Sequence, residues 1–164
     1  MTLEQFNNAP GHEAQKQIDH CVAIPEWSAA LVAARPFTTL KFLLKTGNEL
    51  AQAWDQQALN QALTAHPRIG EKAGGNGKEA ELSRGEQSSV NAQNTTLTQA
   101  LREGNVAYEQ RFGRVFLIRA KGRSGEEMLA ELQRRLTNDT QQEQQEALNQ
   151  LREITLLRLE ETFQ

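Results

Sequence analysis

The sequence predicts an all-α protein, a single-domain irregular multi-helix bundle with a short extended connection near residues 114–122. Three observations carry this. Gln, Glu, Ala, Leu, Lys and Arg, all strong helix formers, dominate most of the chain. Apolar residues recur at helical spacing in one segment after another. The one continuous apolar run, Val115-Phe116-Leu117-Ile118, has no second strand candidate to pair with, so it reads as a buried extended connection. At 164 residues, one domain over 1–164 is expected, long enough to bury a sizeable core.

The elements follow in order. Pro25 opens a helix carrying Trp27, Ala30, Leu31 and Ala34, and Pro36 closes it. Thr38 or Thr39 caps the next, with Leu40, Leu43, Leu44 and Leu50 as its apolar face and Gly47 weakening its middle. Asp55 caps a third, with Ala58, Leu59, Ala62 and Leu63 inward, ending at His66. GEKAGGNGK at 70–78 is a loop by composition. A long polar helix is expected from about Ser83 to Arg102, broken at Gly104-Asn105, then a short helix through Tyr108 to Gly113. Ser124 and Glu127 form a capping box for the following helix. Asp139 caps the last helix, and the glutamine-rich patch at 141–145 forms its exposed first turns.

Composition narrows the function. A charge of −3 argues against a polyanion partner, so no nucleic acid is expected. The basic group Arg111, Arg114, Arg119, Lys121 and Arg123 reads as a solvated rim. The single cysteine, Cys21, cannot form an internal disulfide and reads as a small buried apolar residue, with His20 projecting elsewhere. The N-terminal sequence lacks the order of a signal peptide and no apolar run approaches bilayer length. A cytoplasmic protein with no membrane partner is expected. His12 and His20 lack ligand spacing, so no metal site is expected, and there is no P-loop, dinucleotide loop or serine elbow.

What remains is a set of polar residues suited to proton transfer. Pro67 disfavours helical backbone at His66, which places that imidazole where a helix stops. Glu86 lies beyond the glycine-rich loop, and an imidazole with a carboxylate can carry acid/base chemistry without a metal or cofactor. Each has a plainer reading. Ser83-x-x-Glu86 matches a capping box, and a helix-terminal histidine often meets the last carbonyls. If Ser83 and Gln87 face a cavity with Glu86, they form a polar cluster at a helix start, which favours an anionic ligand. Arg158 falls on the inward stripe of the last helix with Leu148, Leu151, Thr155, Leu159 and Thr162. A buried guanidinium needs an acceptor: a partner glutamate, a route to solvent at the helix end, or the carboxylate or carbonyl of a substrate.

The segments HPRIGEK, SRGEQ, NVAYEQRFG with VFLIRAKG, and ITLLRLEE resemble, in that order, blocks of the OHCU decarboxylase family. Trp27 followed by Arg35-Pro36-Phe37, and the Phe6-Asn7 pair, extend the resemblance over nearly the whole chain. It implies an all-helical, cofactor-free, usually homodimeric enzyme. Such enzymes convert 2-oxo-4-hydroxy-4-carboxy-5-ureidoimidazoline to (S)-allantoin and carbon dioxide in urate breakdown. It also implies that His66 and Glu86 are the catalytic pair, with Pro67, Ser83, Gln87 and Arg158 binding substrate. Backbone groups of Phe116, Leu117, Ile118, Arg119 and Ala120 would meet the ligand as well. The chain departs from the family pattern at Arg68-Ile69 and Arg114-Val115. Those departures alter the expected pocket wall and keep open a paralogue acting on another ureide. A non-enzymatic helical binding module is the remaining alternative.

Overall fold

The computed structural model describes residues 1–64, 66 and 95–163. Among these, regular structure is helical and no β-strand occurs. The chain divides into two compact units: Met1–Ala62 with Arg152–Gln164, and Leu63–Leu151.

The first unit opens with α1 (Leu3–Asn8), whose Thr2 and Gln5 form a complete capping box. Then come α2 (Gly11–Ile18), a 3₁₀ turn (Asp19–Cys21), α3 (Pro25–Ala33), α4 (Leu40–Ala51) and α5 (Gln56–Leu63), of which only Leu63 belongs to the second unit. Pro25 stands in the first turn of α3, Thr39 caps α4, and Asp55 accepts from the Ala58 amide at the start of α5. Ala34 terminates α3 and is exposed, while Trp27, Ser28 and Leu31 are buried on that helix. Gly47 does not weaken α4 idly. A Cβ there would stand 3.2 Å from Leu159 Cδ2 and 3.4 Å from the Trp27 ring, and its carbonyl accepts from Trp27 Nε1 at 2.9 Å. The close approach leaves a side chain at this position less room than nearly any Cβ has, so the Leu159 and Trp27 side chains would have to yield to one.

The N-terminal blocks have a structural explanation. Arg35 Nη1 donates to the carbonyls of Phe6 and Ala9, each at 2.7 Å. Asn7 and Phe37 exchange two bonds of 2.8 Å, side chain to backbone in both directions. Phe6 stacks on Phe37 within the core. The Phe6-Asn7 pair and the Arg35-Pro36-Phe37 turn are thus two halves of one clamp holding α1 to the segment after α3.

The second unit contains α6 (Thr95–Phe112), α7 (Gly125–Arg135) and the first part of α8 (Thr140–Thr162), which continues into the first unit from Arg152. Its core is Leu97, Leu101, Tyr108, Phe116, Ile118, Ala120, Met128 and Leu132. Contrary to the sequence expectation, α6 runs unbroken through Gly104 and Asn105. Gly104 sits where a Cβ would fall 2.5 Å from Leu132 Cδ2, so the glycine lets α6 and α7 approach each other. Tertiary packing outweighs its low helix propensity. Gly113, at φ +72°, ends α6 in the left-handed conformation glycine favours. Ser124 and Asp139 cap α7 and α8 by accepting from the amides of Glu127 and Gln142. The 70–78 loop and the expected helix start near Ser83 lie outside the described residues.

Candidate active site

His66 follows the end of α5, and its amide donates to the Leu63 carbonyl at 3.1 Å. The helix stops at Leu63, three residues short of the end expected at His66, and His66 stands outside it, as a residue before proline should. Arg158 lies on the inward side of α8 at 1 % exposure, within the first unit. Its carbonyl accepts from Thr162 Oγ1 at 2.8 Å. His66 belongs to the second unit. Pro67, Ser83, Glu86 and Gln87 lie outside the described residues.

Residues 115–120 form no helix or strand, and Phe116, Leu117, Ile118 and Ala120 are buried while Arg119 is half-buried. Phe116, Ile118 and Ala120 all enter the core cluster of the second unit, whereas Leu117 and Arg119 do not. That period of two is the signature of extended backbone. Two side chains hold the backbone between them. Arg135 Nη1 donates to the Leu117 carbonyl at 2.7 Å, and Gln150 Oε1 accepts from the Arg119 amide at 2.8 Å. The Arg135 guanidinium also lies 4.5 Å from the centre of the Phe116 ring.

Arg135 is itself held in a buried polar network that the sequence reading missed. Its Nε and Nη2 both reach the Glu143 carboxylate, with Nε 3.0 Å from each oxygen. Tyr108 Oη and Asn138 Nδ2 donate to the same carboxylate. Burial pushes the Tyr108 phenol well above its ordinary ionisation range, and the Glu143 carboxylate adds to the shift. Helical periodicity gave no warning. Glu143 sits in the glutamine-rich patch taken as exposed, yet is fully buried while Gln141, Gln142 and Gln145 are exposed. Only Tyr108 had a signal, its place in the NVAYEQRFG block. Arg114 corrects the rim reading too: it is buried, and its charge opposes the Tyr108 shift alongside that of Arg135. The rest of that basic group is exposed or half-buried.

Other expectations can be placed. Cys21 is buried, but His20 does not project elsewhere: its Nε2 stands 3.9 Å from Cys21 Sγ and 2.9 Å from Thr162 Oγ1, because both residues lie in a tight 3₁₀ turn. No described helix is long and apolar enough to cross a membrane. Among the described residues, no group of His, Cys, Asp and Glu side chains is placed to hold a metal ion.

The sequence is similar over its whole length to the 2-oxo-4-hydroxy-4-carboxy-5-ureidoimidazoline decarboxylase of Amia calva, at 28% identity over 167 residues, covering 100% of this chain and 95% of the relative. The enzyme of the same name from Haloferax volcanii is 26% identical over 166 residues, covering 99% and 96%. A crystal structure of OHCU decarboxylase in the presence of (S)-allantoin superposes with a TM-score of 0.75 at 28% identity, covering 88% of this chain and 95% of that one. The family model for OHCU decarboxylase matches residues 7–160, and with that the chain belongs to the OHCU decarboxylase family.

Proposed function

We propose that this chain decarboxylates 2-oxo-4-hydroxy-4-carboxy-5-ureidoimidazoline to (S)-allantoin and carbon dioxide in urate breakdown, as a single cytoplasmic domain acting on a small ureide. The observation that carries the proposal is a family match spanning residues 7–160, which includes His66, Glu86 and Arg158. In this reading His66 and Glu86 are the catalytic pair. Pro67, Ser83, Gln87, Arg158 and the backbone of residues 116–120 bind the substrate.

The chemistry fits so small a set of groups. The carbon that loses carbon dioxide also bears a hydroxyl and adjoins a ring C=N bond. That imine receives the electron pair left by the departing carboxylate, so the step calls for no pyridoxal or thiamine sink. The enol-like product then loses its hydroxyl proton and gains one, on a single face, at the carbon bearing the ureido group. His66 handles the hydroxyl proton, while Glu86 orients that hydroxyl and the ring. Arg158, a guanidinium already out of water, forks onto ureide or ring oxygens with Gln87. Dispersing charge as the carbon–carbon bond breaks favours a site that strips solvent from the carboxylate.

The test is to add the chain to freshly generated substrate and follow optical activity, because the substrate also decays spontaneously to racemic allantoin. Accumulation of the S enantiomer above that background is expected; racemic product at the background rate refutes the proposal. The same reading makes the chain a homodimer, so sedimentation should give about twice the 18.4 kDa of one chain. A single-chain mass at micromolar concentration would contradict it.

A further inference from the structure

We propose that Gln150, together with Arg135, is a positioning residue: the two hold one edge of the 116–120 segment so that its opposite edge, carrying the amide and carbonyl of Ile118, meets the ureide. The inference rests on the proposed function, in which backbone groups of this segment touch the ligand.

In extended backbone the amide and carbonyl of one residue point to the same edge, and those of the next residue to the other. Phe116, Ile118 and Ala120 pack into one core cluster that Leu117, though also buried, does not join, and this alternation sets the rotation of the segment about its own axis. The Leu117 carbonyl and the Arg119 amide then share an edge, and they are the two groups engaged by Arg135 and Gln150. That edge is spoken for by protein. A ureide, which offers both N–H donors and a carbonyl acceptor, matches the donor and acceptor that Ile118 presents on the other side.

Of the two residues holding that edge, Gln150 is the one that can be tested cleanly. Arg135 is fully buried on Glu143, so removing it threatens the fold. Gln150 is half-buried on α8, and its side-chain oxygen reaches the segment by accepting from the Arg119 amide. Gln150→Met keeps the length and removes the acceptor; Gln150→Glu keeps an acceptor oxygen. Losing one hydrogen bond that orients the segment should raise KM about 5–10-fold. Affinity for added (S)-allantoin should weaken by a similar factor, with kcat changed less than KM, and Gln150→Glu should restore most of the loss. A thermal melt of each variant reads out any general loosening.

Each result decides something. A KM effect in Gln150→Met, rescued in Gln150→Glu, supports the positioning role. An active wild-type chain with both variants at wild-type KM and allantoin affinity overturns this inference alone. Equal losses in both variants that follow their melting temperatures also overturn it, in favour of a merely structural contact. A wild-type chain inert on fresh substrate overturns the proposed function and this inference with it.

Discussion

Arg134 and Arg135 are neighbours in sequence and opposites in energetics. The Arg134 side chain is 49% exposed and pairs with Glu131 and Glu146 at the surface, whereas the Arg135 side chain is 2% exposed and pairs with a fully buried Glu143. Solvent screens the first set, and exposed pairs contribute about 1 kcal/mol or less. Removing one partner of the second strands a charge in the core, at a cost of about 3–5 kcal/mol. Chemical denaturation should therefore find Arg134→Ala near wild-type stability and Arg135→Ala strongly destabilised or unfolded. Equal losses would contradict the burial argument. Tyr108 offers a spectroscopic check on the same network, since it is the only tyrosine in the chain. Its folded-state pKa is raised above the free value of about 10. The sign follows: its contribution to stability is complete below pH about 10 and declines as pH rises beyond the unfolded value toward the folded one. Ultraviolet difference titration should show no phenolate near pH 10–11 in the native chain, whereas the denatured chain should be about half ionised at pH 10 and mostly ionised by pH 11. A phenolate signal at pH 10 in the folded chain would contradict the burial of Tyr108 and its bond to Glu143.

At the scale of elements, glycines placed between helices decide packing. Gly104→Ala gains helix propensity of about 1 kcal/mol but drives a methyl into Leu132, which is fully buried and has little room to retreat. Overpacking of this kind costs about 1–3 kcal/mol. We expect a net loss, read as a lower melting temperature. Gly11→Ala is the control, because nothing lies within 4 Å of its added Cβ, and it should be neutral or mildly stabilising. A Gly104→Ala variant as stable as Gly11→Ala would contradict the close approach of α6 and α7. These glycines also mark where the sequence misleads. Five helix starts were legible because caps are local: Pro25, Thr39, Asp55, Ser124 and Asp139 each act within three residues of themselves, whereas the starts of α1 and α2 were not read. Gly104 was misread as a break because the Leu132 side chain that explains it lies on another helix. Glu143 was misread as exposed for the same reason, since Tyr108 and Arg135 are distant in sequence.

For the whole molecule, family membership rests on a match over residues 7–160, which spans every residue that local chemistry nominated. Arg158 was legible as inward from the apolar stripe of α8, and the structure buries it. His66 was legible at a helix end from the proline after it, and α5 does end just before it. The buried network of Tyr108, Arg135, Asn138 and Glu143, and the separate bond from the Arg119 amide to Gln150, were not, because they depend on which faces of α6, α7 and α8 are turned inward. The central claim is that His66 and Glu86 act as one unit on one substrate. The most direct measurement is the initial rate of (S)-allantoin formation, followed by circular dichroism, for His66→Ala, Glu86→Ala and the double variant, each with a far-ultraviolet spectrum to confirm folding. General acid/base groups contribute about 10²–10⁴-fold. If the two act together, each single variant should lose about that much, and the double variant little more than either. A folded single variant that keeps the wild-type rate and enantiomeric excess would contradict the account.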